Sequence, residues 1–326
     1  MTKIALLIVY NHRYDKNMDK LENLYKNKFS YVYHVMPFFD GDKENVIPVY
    51  ASSYHFQSYI AQAYQHLKNK GFSHFLIVAD DMILNPCIDE RNFFATTGID
   101  VNQSYIYDIR EIYDCFFVQH AEAMRCFKVK QKGVEVENIL PTKEAAEKCF
   151  HAHGLRTGSL SLNYLTKAVY YAYKRRMLRK MLKYMWDIVT YNVKVHYPLV
   201  WAYSDILMMP TEVMQKFTTY CGAFAATGLF VEYAIPTSLV FASEDIVTDK
   251  ELKIHGIIQI YPHKRLITVK NSKMLNGYLP RYEEEESIVE QYHYDLDALL
   301  STFDKEVFFI HPIKLSKWHF NSASRV

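Results

Sequence analysis

The first hundred residues alternate between short apolar runs and stretches of helical period, and that rhythm limits the chain to few folds. Ile4–Tyr10 (IALLIVY) is a continuous apolar run, and the loop Asn11–Lys16 after it is polar. Met18, Leu21, Leu24 and Tyr25 then recur at helical spacing, and Ser30–Met36 reads as a second strand. Ser53 is placed to cap a helix striped by Phe56, Tyr59, Ile60, Ala63 and Leu67, with Gly71 as its stop. Phe75–Ala79 is the next buried strand. Strands alternating with helices predict an α/β fold of Rossmann type, a mostly parallel sheet flanked by helices. In such sheets ligands gather beyond the carboxyl ends of the strands. Tyr10, Asn11, His12 and Arg13 fall at that edge, as do Asp80 and Asp81.

Those two aspartates close the run FLIVADD. Adjacent carboxylates at the end of a buried strand are costly unless another charge or a metal matches them. On the residues alone, the pair fits a strand-end turn or a helix cap as well as a set of metal ligands.

Composition narrows the classes. Half of the 326 residues are apolar and 15% are aromatic, enough for a large core. The net charge of +2 gives no argument for nucleic acid. With ten glycines and neither a G-x-x-x-x-G-K-[ST] nor a G-x-G-x-x-G pattern, P-loop and dinucleotide sites are disfavoured. Five scattered cysteines without C-x-x-C spacing suit reduced thiols and a cytoplasmic setting. The apolar start is too short to span a membrane and lacks a cleavage-site pattern.

Residues 101–195 read as a mainly helical insertion between a first β/α half, 1–100, and a closing half, 196–326. Within 165–189, Tyr170, Tyr173, Met177, Met181, Tyr184 and Ile188 are expected on one helical face. Lys174, Arg175, Arg176, Arg179, Lys180 and Lys183 crowd the other. This fits a surface helix packed by its apolar stripe, or a helix lying peripherally on an anionic membrane. His151 and His153, one residue apart in a helical region, point their rings apart and are read as structural. Further on, VWAYSDILMMP returns to strand character, and a helix is expected over roughly 211–220. IIQIYPHKRLITV reads as a strand pair, and Glu283–Glu286 as a solvated helix start. The apolar strand Val307–Ile310 leads into His311, Lys314, Lys317 and Trp318.

This order of elements resembles the nucleotide-sugar glycosyltransferases of the GT-A fold, in which a short acidic signature ends a central strand. Ala79-Asp80-Asp81 takes the place of that signature, with its first acid replaced by alanine. The resemblance implies that Asp81 is the principal ligand of a divalent Mn²⁺ or Mg²⁺ and that Asp80 lies nearer the donor's ribose or a coordinated water. IHPIKLSKW is similar in order to the closing His and K-P-W element of the glycogenin-like group, without the proline before the tryptophan. By that likeness His311 completes the metal shell, and Lys314 or Lys317 meets the diphosphate of the donor, a UDP-sugar. Tyr10 would stack on the base, Asn11 would hydrogen-bond it, and Arg13 would reach the phosphates. Glu232 would be the catalytic base of an inverting enzyme, and Asp205 an acceptor-side acid. The implied acceptor is a glycan or lipid-linked glycan, as in surface polysaccharide synthesis.

Two other readings compete. A nucleotidyltransferase also uses carboxylate-held Mg²⁺, but it would carry a glycine- and lysine-rich signature after the first strand, where YNHRYDKN has no glycine. A non-catalytic module would keep the sheet as scaffold and use the basic helix to bind a membrane or partner.

Overall fold

A computed structural model describes residues 2–112, 123, 136–157, 169–170, 173, 176–191, 197–258 and 292–320. At its centre is a seven-stranded sheet in the order β10-β6-β9-β4-β1-β2-β3. The first four strands are β1 (Ile4–Val9), β2 (Tyr31–Pro37), β3 (Val46–Val49) and β4 (His74–Ala79). They run parallel to one another, and Val9 pairs with Ala79. Every residue of β1 and β4 is buried, because helices cover both faces of the sheet.

The chain builds β1, β2 and β3 outward in one direction, then returns to lay β4 on the free side of β1. That reversal opens a crevice between the carboxyl ends of β1 and β4. On the far side of β4 lies β9 (Ile206–Pro210), antiparallel to it, then β6 (Ser104–Ile106) and β10 (Ile246–Val247). Because β9 runs the opposite way, its first residues lie at the same edge as the last residues of β1 and β4.

One face of the sheet packs Leu6, Ile8, Leu76 and Val78 with the helix Met18–Tyr25 and the C-terminal strand. The other packs Ala5, Leu7, Phe75 and Ile77 with the helices Gln57–Leu67 and Thr211–Thr227. These side chains alternate along each strand, as the two-residue pleat demands. Among the described residues, two small sheets accompany the central one. One orders β11 (His255–Ile258), β12 (Val307–His311) and β5 (Ile83–Leu84), and the other pairs β7 (Arg110–Glu111) with β8 (Val200–Trp201).

Several expectations need adjustment. The boundary expected at residue 100 falls just ahead of β6, which belongs to the central sheet. The helix starting at Thr211 runs on to Thr227, where Gly228 in the left-handed region caps it. Ser52, not Ser53, supplies the capping oxygen ahead of the Gln57–Leu67 helix, accepting from the Tyr54 N–H across a short 3-10 turn. The basic segment is not one unbroken helix. A turn at Arg176, with φ of 55°, precedes the helix Leu178–Tyr191, and Tyr170 and Tyr173 are exposed. Tyr184 and Ile188 of the expected stripe, residues 259–291 with the acidic run, and Cys115 and Cys126 lie outside the described residues or side chains.

Candidate functional site

At the end of β4 the chain turns through Ala79-Asp80-Asp81-Met82, closed by the Met82 N–H donating to the Ala79 carbonyl at 3.1 Å. The Asp80 N–H donates to Val9 O at 3.0 Å, which ties the turn to the end of β1. Tyr25, buried under the turn, donates its hydroxyl proton to Met82 O at 3.1 Å and accepts the Leu84 N–H at 3.2 Å. The two carboxylates are therefore set on a rigid turn at the mouth of the crevice.

β5 starts two residues after Asp81 and pairs antiparallel with β12, Ile83 opposite Ile310. This pairing brings the end of β12 back to the turn. The Ile313 N–H donates to the Asp81 carbonyl at 2.6 Å, and His311 Nε2 lies 2.8 Å from Asp81 Oδ1, across 230 residues of chain. Lys314 Nζ donates to the other oxygen, Oδ2. Burial works to raise the Asp81 pKa, but the bonds and charges of His311 and Lys314 outweigh it and hold the carboxyl well below the usual range. His311 shows the converse: burial would lower its pKa, and Asp81 and then Asp205 raise it instead.

The other ring nitrogen, Nδ1, bonds to the Tyr203 hydroxyl, whose pKa burial first, and then the nearby charge of Asp205, push up. Asp205 sits directly before β9, and its carbonyl accepts the Ala79 N–H at 2.9 Å. The result is a continuous chain from Asp81 through His311 to Tyr203, with the charge of Asp205 beside it. Against an ionised Asp81, Nε2 carries the donated proton. Burial pushes the Asp205 pKa up.

Glu232 lies in the first turn of the apolar helix Val231–Ala242, where the helix dipole favours a negative side chain. It accepts the Trp201 indole N–H at 2.9 Å, and its carbonyl accepts the Ala202 N–H at 3.0 Å. Burial raises its pKa to about 7; the indole bond works against that rise, and the charges of Asp205 and Asp108 add to it. Buried Asp108 accepts the Tyr203 N–H at 2.9 Å and Arg110 Nε at 2.5 Å, and the Arg110 guanidinium lies 5.0 Å from the Trp201 ring centroid.

On the β1 side, burial first, and then the charge of Asp81, raise the Asp80 pKa to about 7. The Asn11 backbone and the Asn17 side chain lie near Asp80, and both act to lower its pKa. The neighbouring carboxyls thus divide, Asp81 held ionised and Asp80 poised near neutrality.

One expectation about this loop is corrected. Tyr10 offers no stacking face: its ring is 0% exposed, and its hydroxyl lies 2.8 Å from His34 Nδ1. Arg13, expected to reach the phosphates, pairs with Asp15 at 2.9 Å and Asp40 at 2.8 Å. Of the two C-terminal lysines, Lys314 reaches Asp81, whereas Lys317 is exposed and its backbone N–H is bound to the Lys314 carbonyl. Asn11 is exposed at the crevice. His151 bonds Thr157 and His153 bonds the Ser243 carbonyl at 2.9 Å, in agreement with their structural reading.

Sequence reasoning missed Tyr203, Asp108, Trp201 and Asn17. Only Tyr203 and Trp201 carried a signal, as large aromatics just ahead of Asp205 and the apolar run of β9.

Among the described residues no group of three or more His, Cys, Asp or Glu side chains is arranged to hold a metal ion. Asp81 and His311 nonetheless offer a hard carboxylate and an imidazole, 2.8 Å apart. That donor set suits Mn²⁺ better than Mg²⁺, which takes oxygen ligands, if phosphate oxygens and water fill the remaining positions. The Nε2 proton occupies the place a cation would take, so binding would expel it. Searches of family models, curated proteins and solved structures find no match for the chain.

Proposed function

We propose that the protein is a metal-dependent glycosyltransferase of GT-A fold, moving a sugar from a nucleoside diphosphate donor to a glycan or lipid-linked acceptor. One observation carries the reading: Asp81, at the end of a central strand beside the topological reversal, meets His311 and Lys314 from the far end of the chain. A structural ion pair needs no such position, whereas a diphosphate does. It arrives with negative charge and leaves with more.

Asp81 and His311 would hold the divalent ion, which when bound neutralises charge on the departing diphosphate. Lys314 is exposed enough to swing from Asp81 to a phosphate oxygen. Tyr203 bonds the His311 ring and fixes its orientation, and Asp205 acts beside it through its charge, as a positioning residue. Asn11 and Asp80 line the donor side of the crevice. Glu232 takes the proton of the attacking acceptor hydroxyl in an inverting transfer, and a pKa of about 7 suits that step near neutrality. UDP is the first donor nucleotide to test.

The test is thermal unfolding with UDP or GDP, Mn²⁺, or both. Nucleotide and metal together should raise the midpoint by several degrees, and Asp81→Ala should abolish the rise. A flat response to every combination would remove the proposal.

A further inference from the structure

The helix Leu178–Tyr191 packs on the body through Met181, which joins the cluster of Leu199, Phe224 and Tyr233. Arg179, Leu182, Lys183, Trp186 and Thr190 follow the i, i+3, i+4, i+7, i+11 spacing of one helical face, on the side away from Met181. All five are exposed. Trp186 is 70% exposed and Leu182 64%, a large apolar pair one turn apart on the outer surface. Tyr173, 69% exposed, and exposed Arg176 stand just before the helix. Among the described residues no helix is long and apolar enough to cross a membrane.

We propose that this face lies on an anionic phospholipid bilayer. A tryptophan and a leucine flanked by Arg and Lys form the pattern that seats at the headgroup boundary, where the indole is at home in a half-wet layer and basic side chains extend to phosphate. A protein partner fits less well, because the buried centre of a protein interface is depleted in lysine. A second copy of this chain would bring like charges together. The surface lies outside the Asp81–His311 site, and the inference stands whether or not that site transfers a sugar.

The experiment is co-sedimentation of the full chain with phosphatidylcholine vesicles, with and without about one third phosphatidylglycerol, alongside Arg179→Glu/Lys183→Glu and Leu182→Ala/Trp186→Ala variants. These side chains are exposed, so circular dichroism should report an unchanged fold. The chain should bind the anionic vesicles, weaken as salt rises, and lose at least about tenfold in affinity in either variant. The Trp186 contribution to fluorescence should shift to the blue on binding, a change absent in Trp186→Phe. Failure to bind anionic vesicles overturns the proposal, as does equal binding to neutral ones or unchanged binding by both variants. Saturable binding to an acidic protein without vesicle binding would also reject it.

Discussion

Two parts of the candidate site handle carboxylates in opposite ways. At the β4 turn, Asp81 is met by a ring nitrogen on one oxygen and an ammonium on the other, and stays ionised far into acid. At the start of the Val231–Ala242 helix, Glu232 receives an uncharged indole N–H and faces Asp205 and Asp108, so its proton is held to about pH 7. Both groups are poorly exposed acids, and the difference lies in their partners. A carboxylate matched by cations is built to hold charge, whereas one matched by a neutral donor and facing other acids is built to exchange a proton.

The largest effect should come from breaking the charged part. Asp81→Ala leaves His311 and Lys314 facing an empty position. Chemical denaturation should show a loss of about 3 kcal/mol, and Mn²⁺-dependent turnover of the sugar nucleotide should fall by at least about 100-fold. A variant that keeps its turnover would place the metal elsewhere.

Glu232→Gln attacks the other part and should separate stability from activity. A carboxyl whose folded pKa is raised stabilises the fold below its unfolded pKa and loses that contribution as pH rises through about 7. Gln keeps an acceptor for the Trp201 indole and never ionises. At pH 8 the variant should be more stable by about 1–2 kcal/mol, while turnover falls about 100-fold or more and the rising limb near pH 7 disappears. Equal stability at pH 5 and pH 8 in both proteins would contradict the assignment.

A smaller change sharpens the contrast. Trp201→Phe removes the one donor that lowers the Glu232 pKa, a bond of about 1 kcal/mol. The rising limb of the pH–rate profile should move to higher pH with the maximal rate nearly unchanged. The smallest effect separates the lysines. Lys314→Ala should weaken nucleoside diphosphate binding by about tenfold, whereas Lys317→Ala should stay within about twofold by calorimetry.

The β1–β4 half of the fold was readable because both constraints were local. IALLIVY and FLIVA are short continuous runs rich in Ile, Leu and Val, as strands buried on both faces are, and two adjacent acids fit the end of such a strand. His311 was legible through the order of strand, histidine and lysine. The acceptor-side network was not. Asp205 could be suspected, but only the antiparallel placement of β9 brings Tyr203 against His311, and a local pattern does not encode which strand lies beside β4. Tyr10 misled for a related reason: the last residue of an apolar run can face the core or the crevice, and its partner His34 lies on β2. The pairing of Arg13 with Asp40 likewise appears only once the fold brings Asp40 to the loop after β1.

One cation joining the two ends of the chain is the claim on which the rest depends. A crystal grown with Mn²⁺ and UDP, measured at the manganese edge, tests it directly. The account predicts an anomalous peak about 2.0–2.4 Å from Asp81 and His311 Nε2, with diphosphate oxygens on the same ion and the direct bond between the two side chains opened. Bound nucleotide with that bond intact and no peak between them would contradict it.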